Sequence, residues 1–256
     1  VDNMTGTLDP DDVRKKITAK TKVIVHNHFC GYPGYIAEVN RIGRDYGIPV
    51  FNDGIECFGA EYHGKLVGND GADATIFSFN PVRIPNTIDG GGVLFQDPEK
   101  FEKAVCIRDC GIDRRRFRDA NGEINPDCDI TLSGVSATMS DVNAYIGCCQ
   151  MDEVRELLAK QRANAKQWVA RFQGSPDVKP LLIKDTNPNY WVFGVLAQNK
   201  QDFLRNMREE EYYASGVHIN NNRYSVFGKY DYLPATEDFY SKFVALPCGW
   251  WCEFEA

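Results

Sequence analysis

The sequence predicts an α/β protein, with a mainly parallel or mixed sheet flanked by helices, followed by a small α+β unit. Short apolar runs alternate with helical patterns over about the first 100 of the 256 residues, as in strands joined by crossover helices. Beyond about residue 139 this alternation is lost. We therefore place a large domain at residues 1–159 and a small C-terminal domain at residues 160–256.

The elements of the first part follow from local signals. Asp9 suits the N-cap of a first helix, and Pro10 suits its first helical position. A second helix is predicted over residues 34–46, where apolar residues recur on one face and Gly47 is a stop signal. Strands are predicted at residues 22–25, 49–52, 74–79 and 92–95.

The second part has a different pattern. A long helical segment is predicted over residues 139–171, with a break at Gly174, Ser175 and Pro176. After the break we predict a strand at 190–196, a helix at 201–213, a short strand at 217–219 and a strand at 243–246.

Composition narrows the function classes. The net charge of −7 disfavours a nucleic-acid backbone binder, which normally has a basic excess. No run of 18 apolar residues occurs, so no membrane span is expected, and residues 1–10 do not look like a secretory signal. The nine cysteines are odd in number and show no C-x-x-C spacing, so we expect reduced thiols in a cytoplasmic protein, without a metal site.

Polar residues follow three of the predicted strands. His28, Asp53 and Ser78 lie at or just after the strands' carboxyl ends, where open α/β sheets bind ligands. A basic cluster at residues 114–118 allows two interpretations, a solvated loop or a grip on a substrate phosphate or carboxylate.

Several motifs occur in a fixed order. Residues 25–33 read V-H-N-H-F-C-G-Y-P and residues 46–56 read Y-G-I-P-V-F-N-D-G-I-E. Residues 64–68 read G-K-L-V-G, and residues 73–92 read D-A-T-I-F-S-F-N-P-V-R-I-P-N-T-I-D-G-G-G. Together they resemble the DegT/DnrJ/EryC1/StrS sugar aminotransferase family, and a looser likeness continues through residues 134–141 to Leu246 and Pro247.

The resemblance implies a fold and an activity. The fold would be of the aspartate aminotransferase type, with residues 1–22 in the middle of the family's large domain, so the N-terminal part is absent. The activity would be pyridoxal-phosphate-dependent amino transfer to a nucleotide-linked keto-deoxysugar in polysaccharide or antibiotic sugar biosynthesis, with an amino donor such as glutamate. The family works as dimers with shared sites, so we expect a dimer mate or a complementing N-terminal chain.

The resemblance also assigns residues to roles. His28 falls on the family's histidine, and Asp53 on the carboxylate that keeps the cofactor's ring nitrogen protonated. Glu56 stands where the family has a glutamine near the ring hydroxyl, so it is either protonated or turned away. Ser78 matches a serine that contacts the cofactor phosphate. Ser136 replaces an asparagine that reaches the neighbouring subunit's cofactor phosphate.

Local alternatives exist for some of these residues. Asp53 before Gly54 also suits a turn, and Ser78 also suits a strand serine bonded to backbone. His218 resembles part of a small-domain strand that closes over substrate, but it also suits a half-exposed strand histidine.

Arg83 occupies the position of the family's Schiff-base lysine. That chemistry needs a primary amine that can lose its proton, whereas arginine keeps its charge in proteins. Three functions therefore stay open: an aminotransferase-like enzyme, a non-catalytic subunit of the same family, and a dehydratase that uses pyridoxamine phosphate without a covalent anchor.

Overall fold

A computed structural model of the chain describes residues 1–254. The helices are α1 (Pro10–Lys16), α2 (Ile36–Tyr46), α3 (Pro98–Arg108), α4 (Asp141–Met151), α5 (Val154–Arg171), α6 (Lys200–Glu209) and α7 (Pro234–Lys242). The strands are β1 (Ile24–Asn27), β2 (Val50–Asp53), β3 (Glu61–Tyr62), β4 (Lys65–Leu66), β5 (Ala74–Ser78), β6 (Gly91–Phe95), β7 (Val178–Pro180), β8 (Thr186–Asn187), β9 (Phe193–Ala197) and β10 (Phe243–Leu246). No helix of the described range is long and apolar enough to cross a membrane.

The largest sheet has the strand order β1-β2-β5-β6. The first two pairings are parallel and the last is antiparallel, which confirms the predicted mixed sheet flanked by helices. The predicted strands agree with the observed ones to within about two residues. The shift matters at β1, because it brings Asn27 into the strand as the register partner of Asp53.

The two faces of this sheet are covered differently. On one face, Ile24 and Val50 pack against Val39 and Ile42 of α2, and all four side chains are buried. Helix α2 ends at Gly47, whose φ of 63° lies in the left-handed region that glycine adopts without steric cost.

The opposite face is open. Val25, Ile76 and Val93 belong to it and are 55%, 37% and 46% exposed. Alternate residues of a strand share a face, and Asp53 pairs in register with Ile76. Asp53 and Ser78 therefore lie on the open face of the sheet.

The C-terminal part has its own antiparallel sheet, in the order β10-β9-β7. Trp168 of α5 is fully buried against Phe193 and Val244 in its core. Strand β10 has the predicted bounds, whereas the long helix predicted over residues 139–171 is divided at Asp152 and Glu153 into α4 and α5.

The strand predicted at residues 217–219 does not form. Val217 has a φ of 58°, and the N–H of His218 donates to the carbonyl of Gly216 at 2.7 Å, so the segment is a tight turn. A left-handed backbone conformation is incompatible with a strand.

The two parts share core contacts. Phe29 and Tyr32 of the first part belong to the same buried cluster as Phe239 and Phe243 of the second. The domain boundary predicted between residues 159 and 160 falls inside α5, and it stays a prediction.

Candidate functional site

Glu56 lies at the centre of the candidate site, in the loop after β2, and is 5% exposed. Its Oε2 accepts a hydrogen bond from the backbone N–H of Cys30 at 2.7 Å. Its Oε1 lies 3.4 Å from Nη2 of Arg83 and 3.6 Å from Nε2 of His218. Glu56 thus joins the loops after β1 and β5 to the turn of the C-terminal part. It faces a guanidinium, an arrangement that neither sequence interpretation of Glu56 anticipated.

Arg83 is held between this carboxylate and an aromatic ring. Its guanidinium carbon lies 4.4 Å from the ring centroid of Trp191, a cation–π distance. The indole N–H of Trp191 donates to the carbonyl of Val82 at 2.8 Å, which fixes the ring beside the same loop. Within residues 1–254, Nε and Nη1 of Arg83 are buried and have no hydrogen-bond acceptor. Arg83 is therefore fixed in place with unused donor capacity.

Asp53 and Ser78 lie beside this cluster at the carboxyl ends of their strands. Oδ2 of Asp53 accepts a hydrogen bond from Nδ2 of Asn27 at 3.0 Å, and its Oδ1 accepts one from the N–H of Ile55 at 3.3 Å. One oxygen thus closes the local turn, while the other is oriented by the neighbouring strand. Oγ of Ser78 accepts a hydrogen bond from the N–H of Asn80 at 3.4 Å.

His28 is fully buried, which sets it apart from the other predicted residues. Its Nδ1 accepts a hydrogen bond from the N–H of Gly34 at 3.3 Å, and its ring lies 4.7 Å from that of His26. Burial lowers the pKa of His28 well below its ordinary value, and the proximity of His26 adds to the effect. A side chain without exposed surface contacts a ligand only after rearrangement, so this geometry does not support the catalytic assignment of His28, which stays a prediction.

Ser136 and the arginines of the basic cluster are exposed to solvent. Ser136 is exposed and forms an isolated β-bridge with Asp109, so its predicted reach toward a neighbouring subunit stays a prediction. Nε of Arg114 lies 2.6 Å from Oδ2 of Asp109, and Arg115 pairs with Asp113. These exposed pairs favour the solvated interpretation of the basic cluster.

Two cavities meet at Glu56 and Arg83, which line both. The first, of about 960 Å³, is also lined by Asn27, Lys200 and His218; we call it the Lys200 cavity. The second, of about 690 Å³, is bordered by three indole rings; we call it the tryptophan cavity. Its rings belong to Trp191, Trp250 and Trp251. Both volumes fall in the range of small-molecule sites.

Sequence reasoning missed Asn189, which organises this junction. Its Nδ2 donates to the carbonyl of Glu56 at 2.8 Å, and its Oδ1 accepts from the N–H of Trp191 at 2.9 Å. A Cβ at Gly31, whose φ is 89°, would lie 2.1 Å from that Oδ1, so the turn after β1 requires glycine. Asn189 directly precedes the strand predicted at residues 190–196, in a segment N-P-N whose composition indicates only a loop.

Sequence reasoning also missed Lys200. It lies in the C-terminal part, far along the chain from Arg83, and no local motif marks it. Only the three-dimensional arrangement places it on the wall of a cavity that Arg83 also lines.

Comparisons with known proteins agree on one family. A model described as the DegT/DnrJ/EryC1/StrS aminotransferase family matches residues 1–253. An uncharacterised protein of Methanocaldococcus jannaschii is 26% identical over 259 aligned positions, which cover 96% of this chain and 67% of that protein.

Solved structures show the same fold. A sugar aminotransferase from Micromonospora echinospora is 27% identical and superimposes with a TM-score of 0.89 over 99% of this chain and 69% of its own. GDP-4-keto-6-deoxy-D-mannose-3-dehydratase of E. coli, solved with hydrated pyridoxal phosphate, is 17% identical, with a TM-score of 0.84 over 98% of this chain and 69% of its own. The chain thus spans about two thirds of the length of these relatives.

Proposed function

Because this chain belongs to the DegT/DnrJ/EryC1/StrS aminotransferase family, we propose that it acts in the amino chemistry of a nucleotide-linked keto-deoxysugar. Pyridoxal or pyridoxamine phosphate would be its cofactor, held without a covalent link. When bound, the cofactor supplies an electron sink. The observation that carries the proposal is the ion pair of Arg83 with Glu56 at the lysine position, beside Asp53 and Ser78.

Two of the predicted site residues, Asp53 and Ser78, have side chains that suit the cofactor. Asp53 offers a carboxylate oxygen oriented by Asn27, suited to hold a proton at a ring nitrogen. Ser78 shares the open face of the sheet with Asp53 and offers a hydroxyl that can donate to a phosphate. These two residues would bind and orient the cofactor.

The position of Arg83 does not fit covalent attachment. A guanidinium cannot supply a neutral primary amine, and this one is fixed by Glu56 and Trp191. Amino transfer would therefore depend on an amine from the donor, such as glutamate, or from pyridoxamine phosphate. Arg83 would bind and position an anionic group rather than shuttle a proton.

The same ion pair favours a second candidate, a non-catalytic subunit of the family. Arg83, largely buried against Glu56 and Trp191, offers no primary amine at this position. A third candidate is a pyridoxamine-phosphate-dependent deoxysugar dehydratase, which likewise needs no lysine.

The open sheet face supports a partner. Val25, Ile76 and Val93 are exposed apolar residues on the face that carries Asp53 and Ser78, and together they are called the apolar stripe. We propose that a dimer mate, or a complementing N-terminal chain, covers this stripe and completes the site. We also propose a cytoplasmic protein of polysaccharide or antibiotic sugar biosynthesis, on the strength of the family and its free cysteines.

Cofactor binding tests the proposal directly. Pyridoxal phosphate is added to the purified protein, absorbance is recorded from the near ultraviolet to the blue, and the protein is weighed after borohydride reduction. We expect saturable binding to the native chain without a mass increase at the site. Arg83→Lys should gain the mass of one reduced cofactor on the peptide that contains residue 83, whereas Arg83→Gln should not.

Two other outcomes of the cofactor experiment would count against the proposal. A mass increase in the native chain would show that some lysine captures the cofactor and would overturn non-covalent binding. Absence of binding in both the native chain and Arg83→Lys would leave the non-catalytic subunit as the better account.

A further inference from the structure

Lys200 is a half-buried cation without an anionic partner. It is the first residue of α6, and its Nζ donates to the backbone carbonyl of Tyr240 at 2.7 Å. No carboxylate of residues 1–254 lies within ion-pair distance of it. Burial lowers the pKa of Lys200 below its ordinary value. Burial of a charge without a counter-ion costs free energy. A negatively charged group bound beside the Lys200 ammonium would reduce that cost.

Arg83 is a second under-satisfied cation on the wall of the same cavity. Its Nη2 reaches Glu56 only at 3.4 Å, and Nε and Nη1 have no acceptor within the described residues. Glu56 is the one carboxylate among the described residues that line the Lys200 cavity, and it is shared with His218 and the N–H of Cys30. One carboxylate therefore serves a cavity lined by an arginine, a lysine and a histidine.

We propose that the Lys200 cavity binds the oxyanion of a small ligand, a phosphate or a carboxylate, between Lys200 and Arg83. The guanidinium offers a planar fork that matches either oxyanion, and the ammonium adds a point charge. Gly216 leaves room for the ammonium, because a Cβ at that position would lie 3.0 Å from Nζ of Lys200.

The surroundings of the two cations suit a polar ligand attached to the oxyanion. The remaining polar lining of the cavity is mainly neutral, with asparagine, threonine and tyrosine side chains that offer hydrogen bonds without competing negative charge. In a chain of net charge −7, a cavity with excess positive charge attracts anions against the overall field. Arg83 also belongs to the proposed cofactor site, so this inference rests on and deepens the proposed function, whereas Lys200 belongs to the oxyanion site alone.

Titration with simple anions tests the proposal. Inorganic phosphate and glutarate are added separately to the full chain. The intrinsic tryptophan fluorescence, to which Trp191 over the guanidinium of Arg83 contributes, is recorded with calorimetry as a second readout. We expect saturable binding that weakens at high ionic strength. Lys200→Gln should raise the dissociation constant about tenfold or more, and Lys200→Arg should largely retain binding. The anion that binds more tightly identifies the source of the oxyanion.

Lys184→Gln is the matched control, because its side chain is 92% exposed and lies outside the cavity lining. Its dissociation constant should stay within about twofold of the native value. Unchanged affinity in Lys200→Gln, or no saturable binding of either anion, would overturn the proposal.

Chemical protection supplies a test on the native chain, independent of any variant's folding. An amine-acetylating reagent is applied with and without inorganic phosphate, and modified lysines are identified by peptide mass. Bound phosphate should slow acetylation of Lys200 at least about threefold and leave Lys184 unaffected. Equal rates at Lys200 with and without phosphate and glutarate would contradict the site. If pyridoxal phosphate fails to bind while inorganic phosphate still protects Lys200, the oxyanion site stands and the cofactor proposal alone fails.

Discussion

At the scale of single residues, one carboxylate of the site, that of Glu56, faces several hydrogen-bond donors. The two oxygens of Glu56 face a backbone N–H, a guanidinium and an imidazole. Removal of its charge would leave Arg83, whose side chain is 13% exposed, without a counter-ion. The cost of such an orphaned cation depends on how far water can reach it.

We expect Glu56→Gln to lower the free energy of unfolding by about 1–3 kcal/mol. The amide oxygen can still accept from the N–H of Cys30, so the loss reports the charge rather than the shape. Urea denaturation followed by circular dichroism measures it. Glu156→Gln is the control, because Glu156 is 70% exposed and its surface pair with Lys160 contributes little to stability. Equal stability of Glu56→Gln and native protein would show that the ion pair contributes nothing.

Burial of His26 makes the free energy of unfolding fall as the pH falls. Its two ring nitrogens are buried and have no hydrogen-bond partner within the described residues. Burial lowers the pKa of His26 from 6.5 to about 4. The unfolded chain thus binds more protons than the folded chain between about pH 4 and pH 6.5, so stability present above pH 6.5 is lost as the pH falls.

The free energy of unfolding should therefore fall by about 2–3 kcal/mol between pH 7 and pH 4.5 from His26 alone. In His26→Leu the same interval should show a smaller fall, because the titrating group is gone and no polar atom replaces it. Urea midpoints at several pH values measure the slope. His63→Gln, at an exposed position, should keep the native slope. A native slope in His26→Leu would assign the acid sensitivity to other groups.

The sequence placed Asp53 and Arg83 relative to their strands, but it did not show which residues would lie next to Arg83. Asp53 and Arg83 could be placed by motif, because each follows a recognisable strand. The partners of Arg83 could not, because Glu56, Trp191 and Lys200 come from separate loops and elements whose approach is set by tertiary packing. Glu56 was expected to be protonated or turned away because its charge would lie near the cofactor's ring hydroxyl. The sequence did not show that a guanidinium would face it.

At the scale of elements, helix ends were predicted from side-chain chemistry. Asp9 was expected to cap α1, and its Oδ1 accepts hydrogen bonds from the N–H groups of Asp11 and Asp12 at 2.8 and 3.3 Å. The helix has only seven residues, so its stability depends strongly on its cap.

Asp9→Ala should lower the free energy of unfolding by about 1 kcal/mol, because two N–H groups lose their acceptor. Asp9→Asn keeps an acceptor oxygen and should cost a few tenths of that, which separates the cap from the charge. Thermal and urea unfolding of the three proteins decide the matter. A cost in Asp9→Asn as large as that in Asp9→Ala would assign the effect to the helix dipole instead.

The elements that the sequence failed to predict lie where tertiary contacts override local preference. Residues 217–219 have strand-like composition, yet Val217 is left-handed and the resulting turn brings His218 to Glu56. A β-branched residue in that region carries backbone strain, which tends to occur at functional sites. The division between α4 and α5 is likewise absent from the apolar pattern.

At the scale of the whole molecule, the sheet is covered on one face and open on the other. Alternation of strands and helices predicted the sheet and α2, because a helix that follows a strand packs back onto the sheet. The same pattern could not show that the face with Asp53 and Ser78 would stay open. Both faces carry apolar residues of similar types. Only the arrangement of the helices decides which face is buried and which stays open.

An apolar stripe next to polar site residues is typical of an interface, so we expect the chain to associate through this face. The double variant Val25→Lys and Val93→Lys places two charges on exposed positions of edge strands. It should raise the dissociation constant of the assembly at least about tenfold, because lysine ammonium groups would have to be desolvated on contact. Sedimentation velocity over a range of concentrations measures this constant.

Val226→Lys is the control for added charge, because Val226 is 83% exposed and lies outside this face. It should leave the dissociation constant within about twofold of the native value. If the native chain sediments as a monomer at every concentration, no second copy covers the stripe, and the complementing chain becomes the remaining partner. If the double variant associates as tightly as the native chain, the interface lies elsewhere, and Asp53 and Ser78 are not completed by it.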